Sequence, residues 1–287
     1  MSWSSEIKRG KRFRFGNNWE NFVDNNLDDK SIKEAISCTK RILDESGINI
    51  KDKRIIDIGC GSGLFSLVAL ELGAKFVMSF DFDPDSVNCT NFLLKSRNFD
   101  QENYMCIEGS ILEDSFIKDL GKYDLVYSWG VLHHTGNLFK ALKNASLLVN
   151  EDGLIFISLY QKTIFDPFWK IEKKIFSSSS KSIQLFICKA WMLLLRILYT
   201  LKGKSFKKVV SNYFMNRGMN FYNDVYDWLG GYPYEGIDTK ECVKFFNKIG
   251  FKNKLLKKRS KFFAITSGCN EYIFSKISTS NKKNSIN

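Results

Sequence analysis

The stretch RIIDIGCGSGLFS at residues 54–66 decides the fold of this chain. It begins as a short apolar run of the kind that forms a buried parallel strand, and it ends as the start of a helix. Three glycines between these parts, Gly59, Gly61 and Gly63, allow the backbone to turn sharply and to approach a ligand closely. In open α/β sheets such a turn lies at the carboxyl edge, where ligands bind. The segment therefore predicts an α/β fold with a ligand site at this turn.

Strand-like and helix-like segments alternate on both sides of the turn. The strand-like runs are 54–58, 76–81, 104–108, 124–128, 154–160, 251–257 and 271–275. Apolar residues recur at helical spacing in 65–72, 84–96, 138–148 and 239–249. This order predicts a doubly wound α/β fold, a Rossmann-like parallel sheet whose crossovers are right-handed.

The chain is expected to form one domain with an insertion. Its predicted parts are an N-terminal helical lid region (1–50), an α/β core (51–161), a mostly helical insertion or cap (162–235), the end of the core (236–276) and a tail (277–287). The Lys, Asn and Ser composition of the tail suggests disorder.

Two carboxylates flank the glycine turn. Asp81 ends the next strand, a little over twenty residues after Gly59, where a carboxylate accepts hydrogen bonds from both hydroxyls of a ribose. Asp57 precedes the turn, and an acid there repels a pyrophosphate but suits an ammonium group. Leu64 stands where a dinucleotide-binding fingerprint has its third glycine. A dehydrogenase and a turn without a ligand therefore fit less well than a nucleoside ligand that carries an ammonium group.

Composition argues against export. The first twenty residues are charged and aromatic, whereas a secretory signal needs an apolar core. The seven cysteines are scattered, with no pair at the spacing of a zinc or redox motif. These features predict a cytoplasmic protein with reduced thiols.

The formal net charge of +12 suits nucleic acid, an anionic membrane or a phosphorylated substrate. Much of this charge is dispersed, so a solvated surface explains it equally.

Four ordered motifs resemble those of the class I S-adenosylmethionine-dependent methyltransferases. They are IDIGCGSG, SFDFDPDS, EGSILE and YDLVYSWGVLHHTGN. The resemblance implies a seven-stranded sheet and S-adenosylmethionine as cofactor. The fourth motif is similar to that of ubiquinone-pathway O-methyltransferases. The later GGYPYE and GCNEYIF stretches resemble bacterial methyltransferases known only by general class.

This resemblance implies a role for each motif residue. Asp57, Gly59, Gly61 and Gly63 would hold the methionine end of the cofactor, and Asp81 would hold its ribose. Ser110 and Ile111 would contact the adenine, although Ser110 replaces the usual acidic residue. Gly130 and His133 stand where the related O-methyltransferases carry carboxylates, so no metal site is predicted.

The only two histidines, His133 and His134, follow the fourth strand at the ligand-binding edge. Methyl transfer to a protonated nucleophile needs a base, and either imidazole is a candidate, with His134 ahead. A structural imidazole bonded to loop backbone is the alternative.

Aromatic residues near the same edge are candidates for the walls of a substrate pocket. Trp129 and Tyr160 end neighbouring strands, and Trp19 belongs to an aromatic stretch that we interpret as a lid. Further candidates in the segment DWLGGYPYEGID are Tyr232, Tyr234 and Glu235. Packing in the core or in a turn explains each of them as well.

Residues 183–201 form an apolar segment almost long enough to span a bilayer. Lys189 and Arg196 near its middle disfavour spanning. As a helix it has a wide apolar face, which suits packing on the core, peripheral contact with a membrane or a dimer contact.

The leading functional hypothesis is a methyltransferase for a small-molecule acceptor, directed at a hydroxyl of a sugar, quinone or other metabolite. A tRNA methyltransferase is a second hypothesis, favoured by the basic charge and by the VLHH stretch, which resembles that of wobble-uridine enzymes. Nucleic acid is the less favoured partner because no added RNA-binding module is visible. A non-catalytic adaptor with the same fold, at a membrane or protein surface, is a third.

Overall fold

Seven strands form one mixed sheet in the computed structural model, which describes residues 3–16, 19, 29–217, 221–258 and 268–277. The strands are β1 (Arg54–Ile58), β2 (Phe76–Asp81), β3 (Tyr104–Glu108), β4 (Tyr123–Trp129), β5 (Val149–Tyr160), β6 (Phe251–Lys257) and β7 (Cys269–Lys276). Their order in the sheet is β3-β2-β1-β4-β5-β7-β6, and β7 runs antiparallel between β5 and β6. The strand order reverses between β1 and β4, which places the glycine turn at a switch point where such sheets bind ligands.

Helices connect the strands and form the cap. The helices of the first half are α1 (Trp3–Lys8), α2 (Asp29–Glu45), α3 (Leu64–Glu71), α4 (Pro84–Ser96), α5 (Asp114–Asp119) and α6 (Leu138–Leu147). Those of the second half are α7 (Asp166–Ser178), α8 (Lys181–Leu201), α9 (Phe206–Arg217), α10 (Phe221–Gly230) and α11 (Thr239–Lys248). The start of α4 follows from its sequence, because Pro84 takes the first helical position and the Asp83 side chain accepts a hydrogen bond from the Asp85 amide.

Both faces of the sheet are buried, as the apolar runs predict. Successive residues of β1 point to opposite faces, so Ile55 packs in one apolar cluster and Ile56 in another. Both side chains are fully buried. Helices therefore cover the sheet on each side, which is the doubly wound arrangement.

The predicted fold class is confirmed, but the sheet is mixed rather than parallel, because β7 runs antiparallel to β5 and β6. The other differences are element bounds and one short helix. β5 begins at Val149, five residues before the predicted start at 154. The sequence does not indicate this extension, because residues 150–153 are polar or glycine and lack the apolar pattern of a strand. Asp152 within it has a left-handed φ of 61°. Helix α5 was not predicted, since six residues carry too little periodicity.

Three tryptophans hold the cap together. The ring of Trp191 in α8 stacks on Trp228 of α10 with centroids 5.4 Å apart, and Trp169 of α7 meets Trp228 edge-on at 4.8 Å. The insertion predicted at 162–235 contains helices α7–α10. The tryptophan cluster joins α7, α8 and α10, and α9 contacts α8 and α10. The predicted disordered tail lies outside the described residues, except for residue 277.

Candidate active site

One cavity of about 810 Å³ lies at the carboxyl edge of the sheet. Its floor is formed by the glycine turn after β1, by Asp81 at the end of β2 and by the loop after β4. Its roof comes from the cap, through residues of α8 and α10. The volume falls in the range of sites that enclose a small molecule.

The glycine turn requires its glycines for two separate reasons. Gly59 and Gly63 have left-handed φ values of 74° and 78°. Residues other than glycine adopt this backbone conformation only at a cost in free energy. A Cβ on Gly59 would lie 2.3 Å from Val131 Cγ1, and one on Gly63 would lie 2.8 Å from Thr90 Cα. Gly61 faces the cavity, where a Cβ would fill space beside Trp19 Nε1. The turn is thus closely packed behind and open toward the cavity.

Asp81 links the turn after β1 to the loop after β2. Its Oδ2 accepts a hydrogen bond from the Gly61 amide at 3.1 Å, and its Oδ1 accepts one from the Asp83 amide at 2.9 Å. Burial raises the pKa of Asp81, while these amides and the charge of Arg12 lower it. The carboxylate lines the cavity with lone pairs that remain for a ligand.

Asp57 lies at the end of β1 and is 3% exposed. The Ser66 hydroxyl donates a hydrogen bond to its Oδ2 at 2.6 Å. The pKa of Asp57 is raised to about 7, chiefly by burial; the hydrogen bond from Ser66 opposes this rise, and the charge of the nearby Asp81 adds to it. A positively charged ligand group in this cavity would stabilise the ionised carboxylate.

Ser110 and Ile111 line the cavity beyond the end of β3. The Ser110 hydroxyl accepts a hydrogen bond from the Leu112 amide at 3.2 Å, which fixes the loop. Asn144 belongs to the neighbouring helix α6, and its side-chain amide donates a hydrogen bond to the Ile111 carbonyl at 2.8 Å. Ile111 is buried and gives this end of the cavity an apolar surface.

The two histidines are in different environments. His134 lines the cavity, and its Nδ1 lies 2.7 Å from the Pro233 carbonyl, so Nδ1 carries the proton and Nε2 has a lone pair. Burial lowers the pKa of His134 to about 3, and the charges of Lys173 and Arg12 contribute in the same direction. The imidazole is therefore neutral at physiological pH.

His133 is fully buried and does not line the cavity. Its Nδ1 accepts a hydrogen bond from the Tyr160 amide at 3.3 Å, so its proton is on Nε2. The sequence offered both histidines as bases, but the structure brings only His134 into the cavity. The His133 side chain points instead toward β5, where it contacts Tyr160.

Trp19, Trp129 and Tyr160 all line the cavity. The Trp129 ring packs edge-on against Phe156 of β5, 5.5 Å away. Tyr160 lies against the ring of His133 with centroids 3.9 Å apart. Trp19 lies over Gly61, and its neighbours in the sequence, 17, 18 and 20–28, lie outside the described residues. These rings give the cavity apolar walls.

Tyr232, Tyr234 and Glu235 do not line the cavity, contrary to the prediction. Tyr234 is buried, and its hydroxyl donates to Asp166 at 3.3 Å. Glu235 instead supports the histidine loop, because its amide donates to the His133 carbonyl at 3.0 Å and its Oε2 accepts from the Leu138 amide at 2.9 Å.

Tyr232 bonds to the N-terminal segment, and the glycine before it packs against the histidine loop. The Tyr232 carbonyl accepts a hydrogen bond from the Phe13 amide at 3.0 Å. A Cβ on Gly231 would lie 2.4 Å from His134 Cε1, so the imidazole packs directly against this backbone. The GGYPYE stretch therefore lies behind His134 and positions it. Its residues do not line the cavity, because they form hydrogen bonds with loop backbone instead.

Sequence reasoning missed several residues that line the cavity. Arg12 donates hydrogen bonds to the carbonyls of His134 at 2.9 Å and Thr135 at 3.3 Å, and it pairs with Glu6. The basic and aromatic run around Arg12 was a signal, but its partner lies more than a hundred residues away. From the cap come Trp191, Leu195, Tyr199, Asp224, Asp227 and Trp228.

Comparison with known proteins assigns the family. The methyltransferase domain family matches residues 32–223, which include the turn, both carboxylates and the histidine loop. The chain belongs to this family. Magnesium protoporphyrin IX methyltransferase from Synechocystis, solved with bound S-adenosylhomocysteine, matches with a TM-score of 0.53 and 14% identity over 91% of this chain and 93% of that one. A methyltransferase structure from Clostridium acetobutylicum gives a TM-score of 0.51 and 9% identity over 92% and 98%. These likenesses support the fold.

The curated relatives share a shorter region. A ribosomal protein L11 methyltransferase from Lachnospira eligens is 33% identical over 87 residues, which are 30% of this chain and 27% of the relative. A ubiquinone biosynthesis O-methyltransferase from Pelagibacter ubique is 27% identical over 115 residues, 40% of this chain and 45% of the relative. The chain thus spans less than half the length of these relatives.

The residues of the cavity fit the family's cofactor, S-adenosylmethionine. The surface at Gly61 leaves room that a Cβ would fill, and Asp81 presents carboxylate oxygens suited to a ribose. Asp57 is a buried carboxylate in the cavity lining, and its chemistry suits a cationic group such as the methionine end of this cofactor. The family and the cofactor predicted from the sequence are confirmed.

Proposed function

We propose that this protein transfers a methyl group from S-adenosylmethionine to a hydroxyl oxygen of a small-molecule acceptor. The observation that carries this proposal is a single cavity in which the glycine turn and Asp81 share one space with aromatic walls and His134. Such a space has room for a donor and an acceptor side by side. The match to ubiquinone biosynthesis O-methyltransferases supports oxygen as the acceptor atom.

When bound, S-adenosylmethionine supplies a sulfonium methyl group that passes to an in-line nucleophile as its carbon–sulfur bond breaks. Asp57 and the backbone at Gly59 and Gly61 hold the methionine end, Asp81 holds the ribose, and Ser110 with Ile111 contacts the adenine. Trp19 and Trp129 exclude water from the reacting groups.

His134 takes the proton that the acceptor hydroxyl loses. Its Nδ1–H is held by the Pro233 carbonyl, which leaves Nε2 as the proton acceptor. A pKa of about 3 makes His134 a weak base in the ground state. A hydroxyl oxygen becomes far more acidic as it bonds to the methyl carbon, so a weak base suffices at that stage.

The first test of this proposal is binding of the cofactor to the full chain. We expect Asp81→Ala to weaken the affinity for S-adenosylmethionine by roughly 30-fold, because two hydrogen bonds from ribose hydroxyls to a carboxylate are lost. Isothermal calorimetry measures the affinity, and Asp119→Ala, at an exposed position of α5, is the matched control. Failure of the wild type to bind S-adenosylmethionine would overturn the proposed function, and equal affinities in the wild type and Asp81→Ala would remove the ribose role.

A second test uses pH. With a pKa of about 7, Asp57 is about half protonated at neutral pH in the free protein. The positively charged cofactor favours the ionised form, so its binding expels a proton. The affinity should rise as the pH increases from 6 to 8, with a limiting slope of about tenfold per pH unit below the pKa. Calorimetry in buffers of different ionisation enthalpy detects the released proton.

Asp57→Asn removes the titrating group and serves as the control for this pH effect. It should show a lower affinity that no longer changes across pH 6 to 8. A wild-type affinity that is constant over the same range would refute the proposed contact between Asp57 and the cationic end of the cofactor.

A macromolecular acceptor has less support. The L11 methyltransferase relatives share a short region with this chain, and the basic charge is compatible with several partners. Steep salt-dependent binding of tRNA would favour a tRNA substrate, and no binding at low salt would count against it. Absence of binding to both S-adenosylmethionine and its demethylated product would favour a non-catalytic adaptor.

A further inference from the structure

Helix α8 presents an apolar face to solvent. Phe186 is 72% exposed and Leu193 is 58% exposed, and Ile197 and Leu201 continue the same face. The helix is long and apolar enough, by length and composition, to cross a membrane. Soluble surfaces rarely expose such a row of large apolar side chains unless it serves an interaction.

The opposite face of α8 packs on the rest of the protein. The Gln184 amide donates to the Phe176 carbonyl at 2.9 Å, and its Oε1 accepts from the Tyr226 hydroxyl at 2.5 Å. Trp191 stacks on Trp228, and Leu195 is buried in the cavity wall. A helix anchored in this way to its own fold lies along a surface, because crossing a bilayer would break these contacts.

Helix α7 repeats the pattern of α8. Trp169, Lys173 and Phe176 are buried at helical spacing, whereas Phe168 and Ile171 are exposed. The apolar surface therefore extends over two consecutive helices that contact each other. We call the exposed apolar residues of α7 and α8 the outer cap face.

The charge around the outer cap face is strongly positive. Residues 162–208 contain eleven Lys and Arg, ten of them exposed and one, Lys173, buried, against two acidic residues, Asp166 and Glu172. Lys189 and Arg196 lie seven residues apart on one flank of α8, and both are exposed. An apolar helix face flanked by basic residues is the arrangement that binds the interface of an anionic membrane.

We propose that the outer cap face docks on an anionic lipid bilayer and that the methyl acceptor is a lipophilic molecule held in that bilayer. The face and the cavity share one wall, because α8 supplies Trp191, Leu195 and Tyr199 to the cavity from its other side. An acceptor leaving the bilayer thus has a short route to the site. A second copy of the chain is a poorer occupant, since a symmetric contact brings the basic flanks together. The acceptor part rests on the proposed function, whereas docking stands without it.

The test measures sedimentation of the full chain with vesicles. The wild type should bind vesicles of phosphatidylcholine with about 30% phosphatidylglycerol, and it should bind phosphatidylcholine alone much more weakly. The double variant Phe186→Ser with Leu193→Ser should lower the partition coefficient at least about tenfold, because both side chains enter the interface. Phe92→Ser is the control, since Phe92 is equally exposed on α4 at another face.

A second variant tests the basic flank. Lys189→Glu with Arg196→Glu should weaken binding to the anionic vesicles by at least about 25-fold, near fivefold for each lost positive charge. Lys118→Glu with Lys122→Glu, exposed and distant in sequence, makes the same change of charge as a control. Equal losses in both double variants would mean that net charge alone drives binding and would overturn the assigned face.

Other outcomes separate the parts of the proposal. Wild type that stays in the supernatant with both vesicles, or a dimer that the Phe186 and Leu193 changes dissociate, would overturn docking. Binding of S-adenosylmethionine in the same preparations tests the proposed function independently. Labelled methyl groups should enter the organic extract of membranes. Label that appears only in the water-soluble fraction would overturn the lipophilic acceptor while docking stands.

Discussion

Replacing His134 by Asn should slow methyl transfer at least about 100-fold while binding of S-adenosylmethionine is retained. The Asn amide can donate to the Pro233 carbonyl as Nδ1 does now at 2.7 Å, but it has no group in the place of Nε2 that takes a proton. The loss should fall on kcat. The measurement is transfer of labelled methyl groups into extracted membranes at saturating cofactor, compared with the wild type.

His133→Asn is the matched control for this prediction. The Asn side-chain oxygen can accept from the Tyr160 amide as Nδ1 does, and the residue does not line the cavity. Its methyl-transfer rate should stay within about threefold of the wild type, because no proton-accepting group in the cavity changes. If the His133 variant loses activity and the His134 variant keeps it, the assignment of the base is reversed.

The pH profile provides a second readout of the same role. A base must be deprotonated to act, and the pKa of His134 is about 3 because burial disfavours the charged imidazole. At saturating cofactor, kcat should therefore not fall as the pH drops from 8 to 5. A fall with a midpoint near the ordinary histidine pKa of about 6.5 would contradict the buried environment described for His134.

The cofactor side of the site was predictable because its determinants are local. The glycine turn is encoded within a few residues, and Asp81 is fixed by the length of one strand–helix–strand unit. The sheet then brings the ends of β1, β2 and β4 to a single edge, and Asp57, Asp81 and His134 line the same cavity. Spacing along the chain thus converts directly into proximity when the crossovers are regular.

The acceptor side was less predictable because it depends on contacts between distant segments. Arg12 meets the carbonyl of His134, 122 residues away, and nothing in either segment specifies the other. Tyr234 and Glu235 were candidates for the cavity because their segment precedes the last helix and could return over the site, with packing in a turn as the alternative. Hydrogen bonds to Asp166 and Leu138 instead direct them into the structure behind the histidine loop.

The face of α8 that meets the core was likewise open in the sequence. Both sides of this helix are largely apolar, so periodicity alone favoured no single partner. The inward face is set by aromatic contacts within the cap, since Trp191 stacks on Trp228. The apolar residues of α8 therefore predicted a contact surface, but they did not predict which face of the helix is exposed to solvent.

Gly63→Ala should lower the free energy of unfolding by roughly 2–5 kcal/mol, the sum of about 1–2 kcal/mol for a left-handed backbone and about 1–3 kcal/mol for overpacking. The new Cβ would lie 2.8 Å from Thr90 Cα, a backbone atom of α4 that no rotamer change can move. The Thr90 hydroxyl donates to the Gly61 carbonyl at 3.2 Å, so displacing Thr90 also disturbs the turn that faces the cofactor. Urea unfolding gives the stability, and calorimetry gives the accompanying loss of cofactor affinity.

Gly121→Ala separates the two contributions to this loss. Gly121 has a φ of 77°, nearly the same as Gly63 at 78°, but a Cβ there would meet no atom within 4 Å. It should therefore lose only the backbone part, about 1–2 kcal/mol, and leave cofactor affinity unchanged. Equal losses of stability in the two variants would show that close packing against α4 adds nothing to the conformational need for glycine. A larger loss at Gly63, together with weaker cofactor binding, is the result expected if contact with α4 holds the turn in the shape that the donor site requires.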